Sequence, residues 1–192
     1  MRKRILVCAF IVICFSMVAY STVAYFTYED KSTNVITMGN IKIELQEYGI
    51  SDEGAAPIPF EGALNVLPGL SVSRTVQVKN VGAQPAWIRI SVTKSITLAE
   101  GTDGEADLSL VSLDLNDEDW TEKDGYFYYK DSLLPGETTK PLFTRVSFAS
   151  DMGNLYQNSK AIIKVNAQGT QVVHNGSTVL EAVGWPDAQQ GD

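Results

Sequence analysis

Histidine is nearly absent from this sequence: His174 is the single one in 192 residues. A zinc hydrolase draws on several imidazoles or thiolates, so that chemistry lacks its ligands, and no His-Glu-x-x-His motif occurs. A Ser-His-Asp arrangement would have to use this one residue, beside an expected turn, as its general base. Cysteine is as scarce. Cys8 and Cys14 both fall in the apolar N-terminal run, and neither follows the small residue that a lipoprotein cleavage site requires. Without that run the chain would hold no disulfide, no thiol nucleophile and no cysteine-based metal site. Basic residues are outnumbered, 15 against 23 acidic, for a formal net charge of −8. Nucleic-acid binding needs a basic face that displaces counterions from phosphate, so this balance argues against it. No Gly-rich phosphate loop precedes a helix either.

Long hydrophobic runs are also missing, with one exception. Arg2, Lys3 and Arg4 precede an uncharged stretch from Ile5 to Ala19, the layout of a secretory signal peptide. Small residues follow, and a cut after Ala24 places Thr22 and Ala24 at the two small-residue positions; a cut after Tyr25 is the second choice. Ile5 to Phe26 also approaches the roughly 20 residues of a membrane span, so a retained anchor is the alternative. Residues 1–24 are thus read as a signal peptide, with the chain at the membrane only as a precursor. Their removal takes three basic and no acidic residues, leaving 12 against 23 and a net charge of −11. About 168 residues remain, enough for one domain without disulfide help.

What the mature chain has in quantity is period-two alternation between Gly, Pro, Asn and Asp clusters, which argues for an antiparallel sandwich. In Asn34 to Leu45 the apolar phase slips at Gly39-Asn40, suggesting one strand that bends between two sheets. Over Ser71–Asn80, Val72, Val76 and Val78 point one way, and only Arg74 breaks the inward set. Ala86 to Thr93 alternates likewise and reads as its neighbour. Leu108 to Leu115 reads as a strand or a short helix. Further strands are expected at Gly125 to Tyr129, at Leu142 to Phe148 with Phe143 facing outward, and at Ala161 to Val173. His174-Asn-Gly-Ser177 carries the signal of a tight hairpin. At least seven strands result, and an all-β, jelly-roll-like antiparallel β-sandwich over 34–184 is the natural architecture. Residues 185–192 read as a polar, disordered tail with no Leu-Pro-x-Thr-Gly motif.

Two clusters invite a ligand. Asp114, Asn116, Asp117, Glu118 and Asp119 pack oxygen donors into a short loop, but without the glycine and final glutamate of an EF-hand, so a solvated acidic loop is preferred to a calcium site. Tyr126 to Tyr129 offers rings for sugar stacking, yet alternation buries two of the four, and the core reading is preferred.

The segment Ala24-Tyr-Phe-Thr-Tyr-Glu-Asp30, followed by Asn34-Val-Ile-Thr-Met-Gly-Asn-Ile-Lys-Ile-Glu-Leu45, resembles the start of TasA/camelysin-type proteins of Gram-positive bacteria, closest to the clostridial BsaA-like biofilm matrix branch. Leu67-Pro-Gly69, Val78-Lys-Asn-Val-Gly82, Trp87-Ile-Arg89, Asp124 to Lys130, Leu134 to Thr139 with Pro141-Leu-Phe143, and Ala167-Gln168 extend the resemblance to about Trp185. It implies a jelly-roll subunit freed by an ER-type signal peptidase that homopolymerises into extracellular fibres. In that family the N-terminal segment inserts into the next subunit. Here that segment is 25–33, with Tyr25, Phe26 and Tyr28, and then Val35, as donor-strand residues. Accessory matrix proteins or sortase are further partners the resemblance suggests. No catalytic residue, cofactor or metal is expected. A surface adhesin or carbohydrate-binding module, using exposed aromatics such as Trp87 or Trp120, is the alternative, and a camelysin-like secreted metallopeptidase comes last.

Overall fold

Strands that alternate apolar and polar residues must each bury one face. In the computed structural model, which describes residues 35–37, 41–49, 58–60 and 62–186, two packed sheets do this and the chain is an all-β sandwich. In chain order the described strands are β1 (Val35–Thr37), β2 (Ile43–Gly49), β3 (Ile58–Pro59), β4 (Leu64–Asn65), β5 (Ser71–Asn80) and β6 (Ala86–Thr97). They continue with β7 (Val111–Leu113), β8 (Trp120–Lys123), β9 (Tyr126–Tyr129), β10 (Phe143–Phe148) and β11 (Lys160–Gln171). One sheet runs β1-β11-β6-β9-β8, with β4 also on β11; the other runs β3-β2-β5-β10-β7. All pairings are antiparallel except the parallel β1–β11. Val76, Val78, Ile88, Ile90, Leu142 and Val146 are fully enclosed between the sheets.

Several expectations needed correction. β5 and β6 are not neighbours. β5 pairs β2 and β10, whereas β6 pairs β11 and β9, so the loop between them crosses from one sheet to the other. Asn80, fully buried, holds that crossing: its Nδ2 donates to the carbonyls of Gln84 and Leu133, and its Oδ1 accepts from Gly82 N. The stretch expected as one bent strand is two, β1 in the first sheet and β2 in the second, and Gly39-Asn40 lie outside the described residues. Leu108–Leu110 is a 3-10 turn leading into β7, so strand and helix both occur there.

Phe143 is buried and not outward. Three steps along β10, Phe143 to Val146, match four along β5, Val76 to Val72. This bulge breaks the alternation. The Asp114 carboxylate braces it, accepting from Thr144 N at 2.8 Å, Arg145 N at 2.6 Å and Thr144 Oγ1 at 2.5 Å.

Beyond β11 the chain forms no hairpin. Residues 172–186 fold back over the outer face of the first sheet, where Val179, Ala182 and Trp185 pack on Trp87 and Tyr128. Asn175 fastens this segment. Its Nδ2 donates to Thr170 Oγ1, Gln171 O and Val183 O, its Oδ1 accepts from Val183 N, and its carbonyl accepts from Trp87 Nε1. Trp185 therefore belongs to a packed layer and not to a polar tail. The Arg89 guanidinium lies 3.9 Å from the Tyr126 ring and 4.6 Å from the Trp185 ring, while Arg89 Nε donates to buried Gln168. Cation–π contacts with the two rings favour the charge in this partly buried place.

Candidate functional site at the open flank of the sandwich

A strand edge with unpaired N–H and C=O groups is a template for another chain, so the edges show where this sandwich can bind. Along one margin β11 faces β2 across the core. Their closeness is visible at Gly169, where an added Cβ would come within 3.1 Å of Ile41 and 3.3 Å of Ile43. On β11 the outer edge is used only at its ends: β4 pairs Lys160 and Ala161, and β1 pairs Ala167 to Gly169. No described strand takes the stretch between them. Ser159 O accepts from Val66 N on this edge, and strand alternation puts the backbone groups of Ile163 and Val165 on the same side.

β2 repeats the arrangement. Glu47 O accepts from Phe60 N on the outer edge, β3 covers only Tyr48 and Gly49, and alternation turns the backbone groups of Ile43 and Leu45 the same way. Four residues, Ile43, Leu45, Ile163 and Val165, thus present main-chain groups to one margin with no described strand opposite.

Inside this margin stands Arg74, the break in the inward pattern of β5. It is 4% exposed. Its Nε donates to Glu47 Oε2 at 3.0 Å, and Nη2 to the same oxygen and to Ile163 O at 2.8 Å; its guanidinium carbon stacks 4.2 Å from the Phe60 ring. A buried guanidinium demands this much compensation, because desolvating an unpaired charge costs several kcal/mol or more. The compensation is incomplete: Nη1 is buried with no hydrogen-bond partner. Arg74 also bridges the sheets, tying the edge of β11 to an inward carboxylate on β2. Sequence reading found Arg74 only as an irregularity and missed Glu47, although Ile43, Leu45 and Glu47 share one parity.

The other sequence candidates separate. Ala24, Tyr25, Phe26 and Tyr28 lie outside the described residues. Val35 lies in β1, paired with Ala167 of its own chain. His174 is exposed, with φ of 57°. The acidic loop is occupied internally: Asn116 Nδ2 bonds Asp119 and Pro141 O, and Lys130 Nζ bonds the carbonyls of Asp117 and Glu118. Burial raises the Asp114 pKa, but the Thr144 hydroxyl and the Thr144 and Arg145 amides outweigh it, leaving that carboxyl below its ordinary value. Among the described residues no three His, Cys, Asp or Glu side chains are grouped to hold a metal ion.

Trp87 and Trp120 are both buried, not exposed, and each indole N–H donates to a main-chain carbonyl, of Asn175 and Lys140. Of the tyrosine cluster, Phe127 and Tyr129 pack on the main core, and Tyr126 and Tyr128 under the C-terminal segment. Burial, then the negative charges of Asp119, Asp131 and Glu137, push the Tyr129 hydroxyl above its ordinary pKa.

No family model matches the chain, and neither a curated protein nor a solved structure matches it.

Proposed function

We propose that this chain is a secreted structural subunit that polymerises into extracellular biofilm matrix fibres by strand addition at the open flank. The observation that carries the reading is the margin where Ile43, Leu45, Ile163 and Val165 face no described strand, with only the Ile163 carbonyl taken up, by Arg74. An extended segment added there gains backbone hydrogen bonds and fits alternate side chains into the space between the sheets. The segment is 25–33 of a second copy, released when an ER-type signal peptidase cuts after Ala24. Tyr25, Phe26 and Tyr28 supply its rings. Since the donor and acceptor are different surfaces, the contact is head-to-tail and continues as a filament.

The sandwich is read as a jelly roll because the chain passes repeatedly between the sheets, from β1 to β2, β5 to β6 and β10 to β11. The role needs no cofactor and no catalytic group. An adhesin reading built on Trp87 and Trp120 loses its binding surface through their burial.

Electron microscopy of the chain beginning at Tyr25, beside the uncleaved precursor, tests this. Fibres from the first and none from the second are expected. Amide exchange adds a residue-level check. Ile163 and Val165 should exchange quickly in the monomer and slowly in fibres, while Ile162 and Lys164, facing β6, stay protected in both. A cleaved chain that remains monomeric at high concentration would refute the proposal.

A further inference from the structure

In a chain of 15 basic and 23 acidic residues with a net charge of −8, charge is not spread evenly over the sandwich. Alternation and register define the outer face of the first sheet. On it, every second residue of β11 from Lys160 to Thr170 stands opposite one of β6 from Thr97 to Trp87. Tyr126 and Tyr128 project from β9, and Thr121 and Lys123 from β8. These positions hold Arg89, Lys123, Lys160 and Lys164 and not one Asp or Glu. None of the four meets a carboxylate elsewhere, since the only ion pair among the described residues is Arg74 with Glu47. Of the acids nearby, Glu122 has the inward parity of β8, Asp124 lies in the hairpin turn, and Glu181 accepts from Ser177 N. On the other sheet, by contrast, Lys79 has Glu44 across the strand.

The face is also even and open. β6 and β11 pair residue for residue along all 12 positions, and the C-terminal segment packs only at the Trp87 end. From Ser91 and Asn166 to Thr97 and Lys160 runs about 20 Å of sheet, on which Thr93, Ser95, Thr97, Lys160, Ile162 and Lys164 are exposed. Cations without counter-charge beside a row of hydroxyls are complementary to an acidic, hydroxyl-rich polymer. We infer that this face binds an acidic polysaccharide. Its carboxylates pair with the exposed amines of Lys123, Lys160 and Lys164, half-buried Arg89 adds its positive field, and its hydroxyls meet Ser91, Thr93, Ser95 and Asn166. Serine and threonine hydroxyls both donate and accept, as sugar hydroxyls do, whereas the phosphate oxygens of a nucleic acid only accept. Base stacking, the other route to a nucleic acid, finds no free ring: Trp87 and Tyr128 are buried, and the Arg89 guanidinium lies over Tyr126. A neutral sugar held by stacking meets the same obstacle.

The inference goes beyond fibre assembly and is read on single subunits. Biolayer interferometry of the full chain over immobilised polygalacturonate should show binding that weakens as salt is raised. Dextran should not bind, and duplex DNA should bind far more weakly at equal ionic strength. Lys123→Gln, Lys160→Gln and Lys164→Gln combined should raise the Kd at least about tenfold. Lys42→Gln, Lys79→Gln and Lys140→Gln combined remove the same charge outside this face and should change it less than about twofold. In an NMR titration with oligogalacturonate, amide shifts should gather at Ser91, Thr93, Ser95 and Lys164 and spare Gln46 and Gln77 of the other sheet. Equal losses in the two triple variants, DNA or dextran binding as tight as polygalacturonate, shifts confined to the other sheet, or no binding at all would overturn the assignment. Whether fibres form bears on none of these readings.

Discussion

The two margins of the sandwich are built on opposite plans. On the far side the edge strands are short, β7 of three residues and β8 of four, and β8 ends in exposed Glu122 and Lys123. Side chains of β8 and its flanking loops add to this: Trp120 Nε1 donates to Lys140 O, Asn116 Nδ2 to Pro141 O, and Lys130 Nζ to two carbonyls of the acidic loop. On the near side the stretches that no described strand pairs sit within β2 and β11, strands of 7 and 12 residues, and the one charged side chain buried there, Arg74, is held by Glu47 and Ile163 O. Short, charged edges resist strand addition and long ones invite it. Among the described residues, the devices that close a margin are applied to only one.

Breaking the closed margin should have the largest effect. Trp120→Ala removes a ring that is 2% exposed and lies 5.1 Å from Tyr129, and it should cost about 4 kcal/mol in urea unfolding. Removing Glu47 by Glu47→Ala, which strands buried Arg74, should cost about 3 kcal/mol. The double change Arg74→Met with Glu47→Leu sharpens the contrast. It should return stability to within about 1 kcal/mol of wild type, separating the cost of a stranded charge from the worth of the pair itself.

Asn175→Ala touches neither margin. It should cost about 2 kcal/mol by leaving buried partners unsatisfied, and red-shift the emission of Trp185 as residues 172–186 loosen, with fibre growth retained. The smallest effect is acid-dependent. Because the Asp114 pKa is lowered in the fold, its contribution is complete above the ordinary carboxylate range and is lost as pH falls through the lowered value. Wild type should thus lose stability relative to Asp114→Asn in that acid window, by only ~0.5 kcal/mol since the side chain is exposed and screened. Chemical denaturation repeated at several pH values reads this difference.

Two X-Gly dipeptides show what was legible in the sequence and what was not. Asn175-Gly176 has the composition of a tight turn, but the residue of positive φ before Gly176 is His174, and Asn175 is drawn inward by its hydrogen bonds. Asp124-Gly125 does make the hairpin between β8 and β9, with φ of 53° and 77°, as a two-residue turn of this kind requires. Composition alone cannot tell them apart, because burial of the asparagine is decided by chain 88 residues away, at Trp87. Strand content and inward faces were readable, since period-two alternation is local. Sheet membership was not: the loop between β5 and β6 looks like a hairpin until Asn80 is seen to bond Leu133. The flank was half legible. Arg74 stood out against its valines, but its meaning depends on Ile163, 89 positions on.

Asn175 also bears on the chemical ageing of the chain. An asparagine before glycine is the pair in which the side-chain amide is lost most readily, because the unhindered glycine nitrogen attacks the amide carbon to give a succinimide and ammonia. Here the amide is held on both its nitrogen and its oxygen, away from the geometry that attack needs. The only Asn-Gly pair in the sequence is thereby made inert while the C-terminal segment stays down. Once that segment lifts, hydrolysis can convert the amide to a carboxylate, which cannot donate to Val183 O. The opening would then be permanent, so a molecule whose segment stays lifted long enough to deamidate carries a covalent record of it.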